Sequence, residues 1–315
     1  MKVMNQTVRI ATRPSRMAQA QARLVGEGLV RAHPQLSYEL VLIQSTGDKS
    51  QAWNGNLHRD GGKGAFIKEV EQAVLEGTAD LAVHSMKDVP TDVEHPDLMI
   101  AAVLPRDDRR DVAICRVGQS FEGLPAGAKV GTSSVRRQAQ LRRSFPHLEM
   151  VHFRGNADTR IEKLDRGEVD CILLAKAGVE RLGLMGRIST VLEPDIMMPA
   201  CQQGIVGVQC LATATALQEQ LAAISHAPTM TCLQAERALL KFLAGNCFSP
   251  IAGYCEITKG NNLRMQALVA SADGQRVVHS RLKHEGQDPI SLARAVADDL
   301  LAQGAAVLIA ESAQC

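Results

Sequence analysis

Lys129-Val130-Gly131-Thr132-Ser133-Ser134-Val135-Arg136-Arg137 reads as a strand running out through a hydroxyl-rich turn into a helix. Ser and Thr ahead of a helical run are the usual N-cap residues. A strand, a tight turn and a helix form the repeating unit of an open α/β sheet. Working outward, the spacing predicts a helix over 134–143, a strand over 150–153, a helix over 157–165 and a buried strand over 171–175. Prolines 194 and 199 then interrupt the pattern.

The same alternation lies upstream. Strands are expected over 8–11, 38–43, 81–84 and 99–104, with helices over 15–31 and 66–75. Residues 105–110, with Pro105 and a dense charge cluster, read as a linker. The apolar run 204–210 reads as a strand rejoining the first domain. Beyond 229 the pattern changes to a helix (232–242), strands (252–257, 263–270, 277–282) and a final helix (290–303). The expectation is an α/β protein with two doubly wound domains and a small C-terminal α+β domain. Domain 1 takes 1–104 and 204–222, domain 2 takes 109–199, and domain 3 takes 228–315.

Bulk composition excludes several classes. The 315 residues are 45% hydrophobic and 22% charged, with net charge +1, which gives no global signal for nucleic acid or membrane. Aromatics are 3%, too few for base-stacking platforms. Eight scattered cysteines form no CxxC pair, so neither zinc spacing nor a disulfide framework is expected, and no metal is predicted. The N-terminus has no apolar h-region and no run of about 18 apolar residues occurs. The expected compartment is the cytosol.

Local chemistry is more specific. Ligands in open α/β sheets sit at the carboxyl ends of strands, where helix N-termini offer unpaired N–H groups. Four such junctions carry hydroxyls and cations: Thr12 to Arg16, Gly61 to Phe66, Gly131 to Arg137 and Arg154 to Arg160. Singly, each fits an ordinary helix cap or a solvated face. Together they suit a ligand with many carboxylates or phosphates, for which the planar Arg fork is apt. Among them stands His84-Ser85-Met86-Lys87-Asp88-Val89-Pro90. Asp88 there is either a local ion pair with Lys87 or a carboxylate placed to stabilise a cation or carry a proton. Cys247, in Gly245-Asn246-Cys247-Phe248-Ser249-Pro250, sits in a turn-forming context, where a thiol is either inert packing or a nucleophile.

These stretches, in this order along essentially the whole chain, resemble the porphobilinogen deaminase (hydroxymethylbilane synthase) family. The resemblance implies a cytoplasmic monomeric transferase that condenses four porphobilinogen units head to tail with loss of ammonia. It implies a dipyrromethane primer bound to Cys247 through a thioether, and Asp88 as the catalytic carboxylate. By resemblance Lys87, Asp88, Thr132, Ser133, Ser134, Arg136, Arg137, Arg154 and Arg160 contact the cofactor. Arg13, Ser15, Lys63, Phe66, Ser85, Arg154, Arg181 and Gln203 contact substrate. It implies two domains similar to type II periplasmic binding proteins. The chain departs from the family pattern at Asn246 (usually Gly), Arg59 (often Lys), Cys201-Gln202 (commonly Val-Gly) and Lys176 (commonly small or apolar). Two other readings fit the same residues: a non-catalytic ligand-binding module of that fold, which gives Cys247 no role, and a paralogue acting on a modified pyrrole.

Overall fold

The computed structural model describes residues 6–48, 64, 66–92, 94–116, 119–245, 249–286 and 288–312. The chain divides into two compact units, Met1–Asp107 with Ile205–Met230, and Asp108–Gly204 with Thr231–Cys315.

The first unit is built on one five-stranded sheet of order β2-β1-β3-β10-β4. Its strands are β1 (Gln6–Thr12), β2 (Leu36–Leu42), β3 (Leu81–Ser85), β4 (Leu98–Val103) and β10 (Val206–Leu211). β1 is parallel to β2 and β3, whereas β10 runs antiparallel between β3 and β4. Helices α1 (Arg16–Ala32) and α2 (Lys68–Leu75) follow β1 and precede β3, and α6 (Thr215–Ala222) follows β10. Opposite faces of the sheet are covered separately. Ala22, Val25 and Leu29 of α1 pack with Ile10, Val83 and Val208, while Val70, Ala73 and Val74 of α2 pack with Ala11 and Ala82. Residues 10 and 11, or 82 and 83, point to opposite faces because the strand repeat is two. Burying strands on both faces explains their continuous apolar runs.

The second unit carries a sheet of matching order, β7-β6-β8-β5-β9. Here β5 (Asp111–Cys115) is the antiparallel strand, between β8 (Cys171–Ala175) and β9 (Thr190–Leu192), and β6 (Lys129–Gly131) is parallel to β7 (Glu149–Val151) and β8. Helices α3 (Val135–Ser144), α4 (Ala157–Asp165) and α5 (Lys176–Arg181) follow β6, β7 and β8. Thus β5, which follows β4 in the chain, fills in the second sheet the place β10 holds in the first.

The same unit holds a three-stranded antiparallel sheet, β11 (Ile251–Ile257), β12 (Leu263–Ala270) and β13 (Val277–His284), with α8 (Pro289–Ala302), α9 (Ala305–Ser312) and, from Thr231 on, α7 (Ala227–Phe242). Leu239 of α7, Leu292, Val296 and Leu300 of α8 and Leu308 of α9 close a core over Leu263, Met265 and Val269. Fully burying one such side chain stabilises by roughly 1.5–3 kcal/mol. The turn after β12 needs Gly274, at φ +76°, because a Cβ there would run into the Ala139 carbonyl of α3.

The alternation of strand and helix is as expected, and 204–210 rejoins the first sheet as β10. Four elements were not anticipated, and one expectation needs correcting. β5 and β9 do not stand out as strands in the sequence: Asp111 opens β5 with a charge, and β9 has only three residues. The short helices α5 and α6 also escape notice, since neither is long enough to show a clear repeat. The helix over 289–302 is not the last, because Gly304 at φ +98° ends it and α9 follows.

Candidate active site

In the first unit, β1 delivers Arg13 and Ser15 to its carboxyl end. Ser15 caps α1, its hydroxyl oxygen accepting from the Ala18 N–H at 3.3 Å. Arg13 is held by Asp48: Nε donates to Oδ1 and Oδ2 at 3.2 and 3.1 Å, and Nη2 donates to Oδ1. Its guanidinium lies 4.3 Å from the centroid of the Phe66 ring. Burial would raise the Asp48 carboxyl, but Arg13 and Ser45 together hold it below its ordinary value. The Ser45 hydroxyl donates to Asp48 Oδ2 at 2.7 Å. Arg13 and Phe66 therefore come together, on an internal counter-ion that the sequence did not advertise.

β3 delivers the second group. After Ser85 the chain makes a single 3₁₀ turn over Met86–Asp88, with Val89 N–H donating to the Met86 carbonyl at 3.1 Å. Met86 is fully buried and its N–H donates to the Ile205 carbonyl at 3.0 Å. Gly207 of β10 makes room for it: a Cβ there would lie 2.8 Å from Met86 Cγ and closer still to the sulfur. The turn is thus anchored from below, and it lifts Asp88 into solvent with Ser85 and Lys87 half-buried beside it. Among the described residues the Asp88 carboxylate makes no ion pair, so the local pairing with Lys87 considered above does not form. His84, one residue before Ser85, is buried, and burial pushes its imidazole down to about 4. Its Nε2 has no hydrogen-bond partner.

The second unit presents the arginines. Thr132 is buried, and its hydroxyl oxygen accepts from the Ser134 N–H at 3.2 Å. Ser134 caps α3 by accepting from the Arg137 N–H at 3.4 Å, and Ser133 between them is exposed. Arg136 and Arg137 turn inward onto Asp111, the first residue of β5. Arg136 Nη2 donates to Asp111 Oδ2 and Arg137 Nη2 to Asp111 Oδ1, both at 2.7 Å. Their other arms reach backbone carbonyls, Arg136 Nη1 to Met198 at 2.6 Å and Arg137 Nη1 to Leu173 at 3.0 Å. Burial would raise the fully enclosed Asp111 carboxyl, yet Arg136 and Arg137 hold it well below the usual carboxylate range. Gln203 is also enclosed, its amide nitrogen donating to Asp111 Oδ1 at 3.0 Å and to the Arg109 carbonyl at 2.7 Å.

Arg160 completes this group. Its Nη2 donates to the Leu173 carbonyl at 3.0 Å, the acceptor that Arg137 also uses, and its Nε is buried without a partner. Burial, then the charge of Arg137, push Arg160 down to about 9, with Asp111 opposing. Arg160 is thus a half-buried guanidinium with no ion pair among the described residues, and a carboxylate-bearing ligand fits it. Arg154 is buried, and Arg181 Nη2 donates to the Gly204 carbonyl at 3.3 Å. Lys176, a departure from the family pattern, is tied to Asp108 at 3.0 Å and Glu180 at 2.5 Å at the end of β8.

Reasoning from sequence missed Asp48, Asp111 and Glu236. Glu236 of α7 is fully buried; its carboxylate accepts from the Gln202 and Cys255 N–H groups. That fixes the loop in which Gln202 takes φ +67° and Gln203 turns inward. The one available signal was an acidic residue at the mouth of an apolar run, as in Asp111-Val112-Ala113-Ile114. Lys63, Arg59, Asn246 and Cys247 lie outside the described residues. No group of three or more metal-ligating side chains occurs among the described residues.

Two sheets with one antiparallel strand each, and hydroxyl-capped helices beside arginines at the strand ends, define an α/β protein suited to anionic small molecules. Residues 8–219 match the family described as "Porphobilinogen deaminase, dipyromethane cofactor binding domain", and residues 230–302 match "Porphobilinogen deaminase, C-terminal domain". The chain belongs to the porphobilinogen deaminase family, transferases of heme biosynthesis that carry a dipyrromethane cofactor. A porphobilinogen deaminase of Bordetella parapertussis is 44% identical over 302 residues, 96% of this chain and 95% of that one. One from Xanthomonas axonopodis pv. citri is 42% identical over 305 residues, 97% and 99% of the two chains. Among solved structures, the periplasmic VFT2 domain of Bordetella pertussis BvgS gives a TM-score of 0.42 at 13% identity, covering 69% of this chain and 86% of that one. No helix among the described residues is long and apolar enough to cross a membrane.

Proposed function

We propose that the chain joins four porphobilinogen units head to tail, releasing one ammonia at each addition, and yields the linear tetrapyrrole hydroxymethylbilane. The observation that carries this reading is Asp88: an exposed carboxylate, without an ion pair among the described residues, on an anchored turn in a chain whose other strand ends are furnished with cations. Ammonia leaves the aminomethyl carbon as the pyrrole lone pair fills in, and positive charge develops on the ring. Asp88 stabilises that charge. It also takes up the ring proton released when the new carbon–carbon bond closes.

The carboxylates of each incoming pyrrole fall to Arg13, Ser15, Lys63, Ser85, Arg154, Arg181 and Gln203, with Phe66 as an apolar wall. Thr132, Ser133, Ser134, Arg154, Arg160 and Lys87 serve the dipyrromethane, which Cys247 holds through a thioether, with Arg136 and Arg137 held behind them on Asp111. When bound, the dipyrromethane supplies the nucleophilic pyrrole carbon on which the chain grows. A covalent tether keeps the growing chain at high effective concentration through successive additions. On this reading the protein is a cytosolic monomer with neither nucleic-acid nor membrane partners.

Intact mass tests it. Protein from cells that make porphobilinogen should exceed its sequence mass by one dipyrromethane and colour with Ehrlich's reagent, and Cys247→Ser should abolish both. A bare mass for the unaltered chain, or normal bilane output from the serine variant, overturns the proposal.

A further inference from the structure

We propose that Asp111 is a positioning residue for the arginines of the second unit: it fixes the forks of Arg136 and Arg137 and cancels one charge, leaving Arg160 as the guanidinium that takes a ligand carboxylate. The identity of that ligand rests on the reading above; the role of Asp111 does not.

The geometry is specific. Asp111 is fully buried and uses both oxygens, Oδ2 for Arg136 and Oδ1 for Arg137, with Gln203 sharing Oδ1. Its backbone is pinned as well, opposite Ala175 of β8 and Leu192 of β9. Arg137 and Arg160 converge on one carbonyl, that of Leu173. Two buried guanidiniums therefore share one carboxylate, and the half-buried Arg160 meets one of them at the Leu173 carbonyl. Among the described residues Asp111 is the carboxylate that pairs with Arg136 and Arg137, so the arrangement of their forks depends on it. Without Asp111 the guanidinium forks repel each other and lose the planar partner that aligns them.

The test uses full-length protein from porphobilinogen-making cells, as wild type, Asp111→Asn and Asp111→Glu. Asp111→Asn is expected to fold by far-UV circular dichroism and to melt lower. Inorganic sulfate should then raise its Tm by about 4 °C or more beyond the rise sulfate gives the wild type, because the ion replaces the missing carboxylate. The fraction of chains carrying pyrrole mass should drop about tenfold, and Asp111→Glu should restore much of it. A purely structural residue would lower Tm without changing the sulfate response. Wild-type sulfate response and wild-type pyrrole occupancy in Asp111→Asn overturn the proposal. If Asp111→Asn does not fold, Asp111→Asn with Arg136→Gln removes one charge of each sign and should recover a folded protein; failure of that pair to fold also overturns it. A wild type without pyrrole mass would condemn the proposed function and leave the sulfate comparison to judge Asp111.

Discussion

Gly207→Ala should damage catalysis from beneath the site. Gly207 lies opposite His84 on β3 and Val103 on β4, and the Cβ added there meets Met86, a side chain with no exposed surface into which to retreat. Overpacking of this kind costs about 1–3 kcal/mol. A gain of about 0.4–1 kcal/mol from reduced unfolded-state freedom offsets part of it. The net loss is roughly 1–2 kcal/mol, or about 2–4 °C in Tm per kcal/mol for a unit of this size. Met86 is the first residue of the turn that holds Asp88, so its displacement moves the carboxylate; a shift near 1 Å can lower turnover about 100-fold. Met86→Ala alone opens a cavity worth about 2–5 kcal/mol. In the double variant the alanine Cβ occupies part of that cavity, so the combined loss should fall short of the sum by at least about 1 kcal/mol. Urea unfolding followed by circular dichroism gives the stabilities, and porphobilinogen consumption gives turnover. Losses that add within about 0.5 kcal/mol, or wild-type turnover in Gly207→Ala, refute the claim that Met86 seats the turn.

Asp88→Asn should leave folding and Tm unchanged, since the carboxylate is exposed, while turnover falls about 10²–10⁴-fold; full activity removes its catalytic assignment. Arg136→Gln should destabilise by about 3–5 kcal/mol because it strips a buried carboxylate of one partner. Arg160→Gln should cost little stability or raise it, and should still lower pyrrole occupancy; equal melting of the two variants contradicts this contrast. His84 gives a pH signature. Its folded-state value near 4 lies below the ordinary 6.5, so the unfolded chain binds the proton first as pH falls. The stability that neutral His84 permits is complete above pH 6.5 and is lost between 6.5 and 4, by up to about 3 kcal/mol. His84→Gln should flatten the stability–pH slope in that window, and an unchanged slope would show that the imidazole is not responsible.

Local pattern made most elements legible. Strands over 81–84 and 171–175 are short apolar runs bounded by turn residues, and the Ser15 and Ser134 caps follow from the hydroxyl before each helix. The cationic strand ends were legible for the same reason: Arg and Ser at those junctions are adjacent in sequence. β5 was not legible, because its opening charge is neutralised by α3, 25 and 26 residues away. No local rule predicts that a charge will enter a buried strand when its partners come from another element.

By itself the sequence determined the alternating α/β build, the rejoining of the first sheet by β10 and the family to which the chain belongs, since each is written in neighbouring residues. Only tertiary structure decided which charges are spent inside the protein and which remain. Arg13 goes to Asp48 and Arg136 and Arg137 go to Asp111, while among the described residues Arg160 and Asp88 form no ion pair. The reason is electrostatic: a desolvated charge is settled by whatever stands within a few ångströms of it, and in a folded chain that neighbour comes from far along the sequence.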